Sequence, residues 1–192
     1  MSWRAVTKPF GWFALVVAIA SQPSAQATVT PADGDIINEA LRVTALQEIA
    51  RFAKPPAPSA TLGLVNQSVA SCDAMPPKNF CLDGAFKTLD VIRQRGGWPM
   101  ASLLAALRAR NKMSASLAHL PLNTGMFVDR GERGSMPNGR SVAQVSLPAI
   151  DGDVALIIVV AQFAGSQSWA VELTRRDRRW RAIRTDHLIS GG

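Results

Sequence analysis

Residues that commonly carry chemistry are scarce in this sequence. It holds two histidines and two cysteines in 192 residues. No Cys-x-x-Cys pair occurs, which excludes dithiol redox chemistry of the thioredoxin kind. A metal centre needs more ligands than two thiols. His119 and His187 lie far from the cysteines along the chain, so no metal site is expected. There is no G-x-S-x-G, no H-E-x-x-H, no P-loop and no G-x-G-x-x-G. The signatures of serine hydrolases, zinc peptidases and nucleotide-binding enzymes are therefore missing. No catalytic residue and no cofactor is assigned.

The remaining titratable residues read as structural. Asp186 and His187 are adjacent on an expected strand, where neighbours point to opposite faces, so they cannot form an acid–base pair. His119, in Leu-Ala-His-Leu-Pro, reads as a capping or surface residue at a helix end. Asp129, Glu132, Asp151 and Asp153 read as turn residues.

The N-terminus carries the clearest signal. Arg4 and Lys8 form a short basic head, Phe10 to Ala20 is an uncharged apolar run, and small residues follow to Ala25-Gln26-Ala27. Basic, apolar, small-x-small is the build of a secretory signal peptide. A spanning helix wants about 20 apolar residues, and this run stops short at Ser21-Gln22-Pro23. Cleavage after Ala27 is expected, with export to the periplasm or medium of a bacterium. Removing 27 of 192 residues leaves 165, and the formal charge falls from +7 to +5 as Arg4 and Lys8 go. A chain of that length buries about 68–70% of its unfolded surface, enough for one self-sufficient domain spanning residues 28–192.

Export gives the cysteines a context. Cys72 and Cys81 bracket Asp-Ala-Met-Pro-Pro-Lys-Asn-Phe. In an oxidising compartment the pair reads as a disulfide, with two free thiols as the competing reading.

Helical spacing dominates the first part of the mature chain. Asp35 reads as an N-cap, followed by Ile37, Leu41, Ala45, Ile49 and Phe52, with a stop before Pro55-Pro56. Residues 61–71 contain a candidate short strand. Ala85 to Arg95 is expected as a second helix ending at Gly96-Gly97, and a third runs from Pro99 to about Asn111. The Gly/Pro-rich stretch 121–140 reads as a long loop. From 141 four strands are expected: 141–149, 154–163, 168–175 and 179–189, with turns at Asp151-Gly152, Gly165-Ser166 and Asp177-Arg178. The fold class is α+β, with N-terminal helices on one face of a C-terminal four-stranded antiparallel meander.

Six arginines fall within ten positions, 175 to 184. A two-residue turn at Asp177-Arg178 would pair Arg176 with Arg179, Arg175 with Trp180, Leu173 with Ala182 and Trp169 with Asp186. Alternation then puts Trp169, Val171, Leu173, Trp180 and Ala182 on a core face. Glu172, Thr174, Arg176, Arg179 and Arg181 share a wet face. Arg175 lies against Trp180 as a cation–π contact, and Asp186 pairs with Arg184. The charges read first as a solvated face that protects an edge from aggregation. Arg176, Arg179 and Arg181 are the candidate anion-binding residues, for a component such as a lipopolysaccharide phosphate. Nucleic acid is not an expected partner, because useful affinity needs many phosphate contacts.

Residues 153–163, Asp-Val-Ala-Leu-Ile-Ile-Val-Val-Ala-Gln-Phe, are apolar on both faces. Such a strand is central and covered twice. Helices can cover one side. The other needs the 121–140 loop, the Cys72–Cys81 segment, an apolar ligand or a second subunit.

Two resemblances attach to these residues. Ala155-Leu156-aliphatic, the Ala164-Gly165-Ser166 turn and Trp180-Arg181-Ala182-Ile183 resemble the closing segment of a group of uncharacterised bacterial exported proteins. Leu103/Leu104, Leu107 and Asn111 resemble their L-x-x-L-x-x-x-N helix. The resemblance implies a location and a fold, not a reaction. The segment from Arg175 to Ser190 is also similar to the closing strand of NTF2-like (SnoaL-like) proteins. That would imply a cone-shaped α+β fold with an apolar pocket, here lined by Trp169, Trp180 and His187. The expected function is a non-catalytic binding or accessory module of the cell envelope, its partner an envelope protein or anionic component. The alternative is an NTF2-like small-molecule carrier or enzyme.

Overall fold

The computed structural model describes residues 28–44, 62–75, 80–122, 128–131, 142–162 and 166–191. The expected signal peptide, Ala45, Ile49 and Phe52 of the first helix, and the Pro55-Pro56 stop lie outside those residues. The class is α+β: the described residues form three α-helices, one short 3-10 turn and seven strand segments.

Helix α1 spans Pro31–Val43. It begins four residues before the expected Asp35 cap. Thr30 is the N-cap, and proline suits the first helical position because its fixed φ is already helical. The Thr30 N–H donates to Asp33 Oδ2 at 2.7 Å, closing one half of a capping box. Ile36, Ile37, Ala40 and Leu41 form its buried stripe.

The sheet contains β1 (Leu62–Val65), β2 (Val128–Gly131), β3 (Val142–Val145), β4 (Ala149–Asp151), β5 (Val154–Gln162), β6 (Ser166–Arg176) and β7 (Arg179–Gly191). Its order is β2-β1-β3-β5-β6-β7, with β4 also paired to β5. The antiparallel part follows expectation: β3 and β4 pair with β5, β5 with β6, and β6 with β7. The sheet as a whole is mixed, because β1 pairs in parallel with both β2 and β3. Strand β2 falls within the stretch expected to be a loop; four residues with one apolar member give too little alternation to read.

Helices cover both faces of the sheet, not one. Strand β5 is buried throughout Ala155–Ala161. Its odd face, Ala155, Ile157, Val159 and Ala161, packs in one cluster with Ile36, Ile37, Ala40 and Leu41 of α1. Its even face, Leu156, Ile158 and Val160, packs with helix α2 (Asp83–Gly96) and helix α3 (Ala101–Arg110) through Phe86, Leu89, Leu103 and Leu107. The second cover for this strand is thus intramolecular. A strand apolar on both sides demands two covers, and the helices divide between them. Pro99 precedes α3 rather than opening it, and Gly97 takes the left-handed C-cap of α2 at φ 72°.

Cys72 and Cys81 are joined, and the short turn Cys72–Ala74 starts that loop. The Cys72 N–H donates to Asp83 Oδ1 at 3.2 Å, which ties the bridge to the start of α2. The double variant Cys72→Ser/Cys81→Ser is expected to lose about 2–3 kcal/mol of unfolding free energy, the chain-entropy value for a short loop. Urea melts of the two proteins check it; equal midpoints would contradict it.

One junction locks the two helical layers across the sheet. β3 and β4 are one strand broken by a bulge: Val145 sits opposite Val159, whereas Ala149 sits opposite Leu156. Leu147 stays on the α1 side with Ala143 and Val145, and the extra residue turns Ala149 to the α2–α3 side. Backbone groups freed by a bulge need partners, and side chains supply them. Ser146 Oγ accepts from the Ile158 N–H at 2.9 Å. Asn111 mimics a strand for Leu147, accepting its N–H at 2.7 Å and donating Nδ2–H to its carbonyl at 2.8 Å. Arg110 donates to the Pro148 carbonyl and forks onto Asp33, at 2.8 Å to Oδ1 and 2.7 Å to Oδ2. Asp33 is fully buried.

Candidate functional site

Strands β6 and β7 meet in a two-residue turn, Asp177-Arg178, with φ of 50° and 63°. That is the type I′ geometry, which matches the twist of the flanking strands and favours glycine at the second position. Arg178 occupies it instead. Replacement Arg178→Gly is expected to stabilise the fold by about 0.5–1 kcal/mol, since the left-handed penalty for a side chain exceeds glycine's added entropy cost. Thermal melts check the sign; a lowered midpoint contradicts it.

The register near the turn is as expected: Arg176 opposite Arg179, Arg175 opposite Trp180, Leu173 opposite Ala182. Arg175 lies over the Trp180 ring at 5.6 Å and donates Nε–H to Asp153 Oδ1 at 2.9 Å. The register then shifts between Glu172 and Leu173, so Glu172 faces Arg184 and Trp169 faces His187, not Asp186. The shift puts Arg184 on the same side as Glu172. It stacks over the Trp98 ring at 4.2 Å and pairs with Asp186 at 2.7 Å. Glu172, which accepts from the Trp98 indole N–H, completes that group.

The six arginines therefore separate, though not by face alone. Arg175 and Arg184 are held by carboxylates and tryptophans. Arg178, Arg179 and Arg181 line one cleft of about 350 Å³ between the hairpin and α1, opposite Asp35, Asn38, Glu39 and Arg42. Arg176, grouped with Arg179 and Arg181 from strand alternation, does not line it. The cleft was not legible in the sequence because α1 supplies its far wall from about 140 residues away. Strand alternation says nothing about which helix lies over an edge.

The cleft's charges are uneven. Arg42 forks onto Glu39, 2.7 Å to each oxygen. Glu39 Oε1 also accepts from the Ala182 N–H at 3.3 Å, which ties α1 to the edge strand β7. The Arg42 guanidinium holds the Glu39 carboxyl below the usual carboxylate range; burial opposes this, while the Ala182 N–H and Arg181 add to it. Among the described residues, Arg178, Arg179 and Arg181 form no close ion pair, although Arg181 is near enough to Glu39 to act on its charge. Asn38 Oδ1 is buried and accepts no hydrogen bond among the described residues.

Trp169 and His187 do come together, edge to face at 5.7 Å, beside a second cleft of about 410 Å³ reached by Val43 and Thr44. Trp180 lines the arginine cleft instead, so the three expected pocket residues do not share one cavity. A third cleft, about 550 Å³, lies near the disulfide between Asp83, Phe86 and Arg108. Arg108 there stacks on Phe86 and pairs with Asp90. His119 is exposed in a turn. Asp151 accepts from the Ser102 hydroxyl at 3.2 Å, and Asp153 pairs with Arg175. Glu132 and the Asp129 side chain lie outside the described residues. Among the described residues no three His, Cys, Asp or Glu side chains gather as a metal site. No described helix is long and apolar enough to cross a membrane.

Comparison with protein-family models, with the curated proteins and with the solved structures finds no match to this chain.

Proposed function

We propose that this is an exported bacterial protein acting as a non-catalytic binding or accessory module of the cell envelope. The observation that carries the reading is the double cover of β5: both faces are packed by the chain's own helices. An interior occupied in this way directs binding to the surface. The pocket reading of NTF2-like proteins is weaker, because the side of β5 that would line the cone packs against Ile36, Ile37 and Leu41. Export is supported by the order of the first 27 residues and by the cysteine pair, since disulfides persist in oxidising compartments.

The test is to express the full chain with a C-terminal tag in a Gram-negative host and fractionate the cells. The expected product begins at Thr28, leaves the cytoplasm and carries no free thiol. A cytoplasmic product that keeps Met1 and both thiols would overturn the proposal.

A further inference from the structure

Three arginines that form no close ion pair among the described residues line one concavity, an unusual use of charge. Long cationic side chains on a surface normally disperse or pair. Here Arg178, Arg179 and Arg181 line the same cleft as Arg42, four guanidinium groups against the two carboxylates Asp35 and Glu39. A second observation points the same way. Arg178 holds a left-handed backbone position, φ 63°, where glycine would be more stable. Strain kept at a position that lines a cleft is a mark of function over stability. Asn38 also lines the cleft, its buried amide oxygen without a hydrogen-bond partner among the described residues.

We infer that this cleft binds a phosphate-bearing ligand. Guanidinium forks match the oxygens of both phosphate and carboxylate. A phosphate ester presents more oxygens and more negative charge than one carboxylate, so several forks engage it at once. At about 350 Å³ the cleft admits a group larger than inorganic phosphate, which favours an ester or a diphosphate. Glu39 holds Arg42 in an ion pair and works against the anion. The phosphate belongs either to a lipid headgroup or to a soluble ester. The inference rests on the reading of the chain as a binding module, and names its site and ligand class.

The experiment titrates the purified chain with inorganic pyrophosphate at low ionic strength by calorimetry. In parallel, it is floated with vesicles of phosphatidylcholine, with and without phosphatidic acid. Saturable pyrophosphate binding assigns a soluble ester, and flotation only with phosphatidic acid assigns a headgroup; either supports the site. Arg179→Ala and Arg181→Ala are each expected to weaken binding about tenfold, the loss of one charge-assisted contact. Arg178→Gly should weaken it while raising the melting temperature, which separates a lost contact from a damaged fold. Arg176→Ala, with the same charge lost outside the cleft, should leave affinity within about twofold. Glu39→Gln should tighten it.

The inference is overturned if neither probe binds, if citrate binds as well as pyrophosphate, or if Arg176→Ala weakens binding as much as Arg179→Ala. Binding by a chain that stays in the cytoplasm would sink the export proposal and leave the site standing. An exported chain that binds neither probe would do the reverse.

Discussion

Asp33→Ala is expected to lower the unfolding free energy by about 3–5 kcal/mol, the cost of leaving one partner of a buried ion pair alone. Asp33 is fully buried and receives both prongs of Arg110. It also accepts the Thr30 N–H, so the same substitution removes half the capping box of α1. The pair is therefore both a helix cap and a tie between α1 and the end of α3. Truncating Arg110, which is partly exposed, strands the fully buried Asp33 carboxylate and is expected to cost about as much. A double-mutant cycle in urea isolates the coupling. A loss below about 1 kcal/mol for Asp33→Ala, the size typical of a surface pair, would show that the junction is not as closed as described.

The second large effect is expected at Asn111. Its side chain makes three hydrogen bonds in a fully buried position: to the Leu107 carbonyl and, as acceptor and donor, to Leu147. Asn111→Ala leaves the Leu147 N–H and carbonyl buried without partners, which costs about 2–4 kcal/mol for the two groups together. Because the bulge at 146–148 sets which side of the sheet Ala149 enters, the loss should also loosen the register there. Amide exchange at Leu147 and Ala149 should quicken more than at Val171, which lies two strands away. Uniform quickening would mean that the residue supports only global stability.

Both residues bear on what sequence reading can reach. Asn111 stands out in the pattern Leu103/Leu104, Leu107, Asn111, but nothing local says that its partner is the backbone 36 residues later. Asp33 and Arg110 lie 77 apart. Their helices sit on opposite faces of the sheet, and the assignment of helices to faces is decided by packing, not by periodicity. The start of α1 is different. Thr30-Pro31-Ala32-Asp33 carries its capping signal in plain form, yet the apolar spacing after Asp35 draws the boundary too late.

The hairpin shows the same boundary between local and non-local information. Alternation recovers the pairing from the turn to Leu173 and Ala182. It then fails, because the added residue at Ile183 has no glycine or proline to mark it. One extra residue flips every later side chain. That flip carries Arg184 to Trp98 and replaces Asp186 with His187 opposite Trp169. The double cover of β5 was legible as a requirement, since its residues are apolar on both sides. What meets that requirement was not, because apolar spacing along a helix does not say which face of the sheet the helix covers.

The central claim is that the space beside the sheet is occupied by the chain itself and that binding belongs to the surface. The most direct measurement is titration of the native chain with a neutral solvatochromic dye such as Nile red, which the arginines do not attract. The account predicts no saturable emission increase until urea unfolds the protein. A saturable, blue-shifted signal under native conditions, abolished by Ile157→Trp, would contradict it and restore an interior apolar pocket.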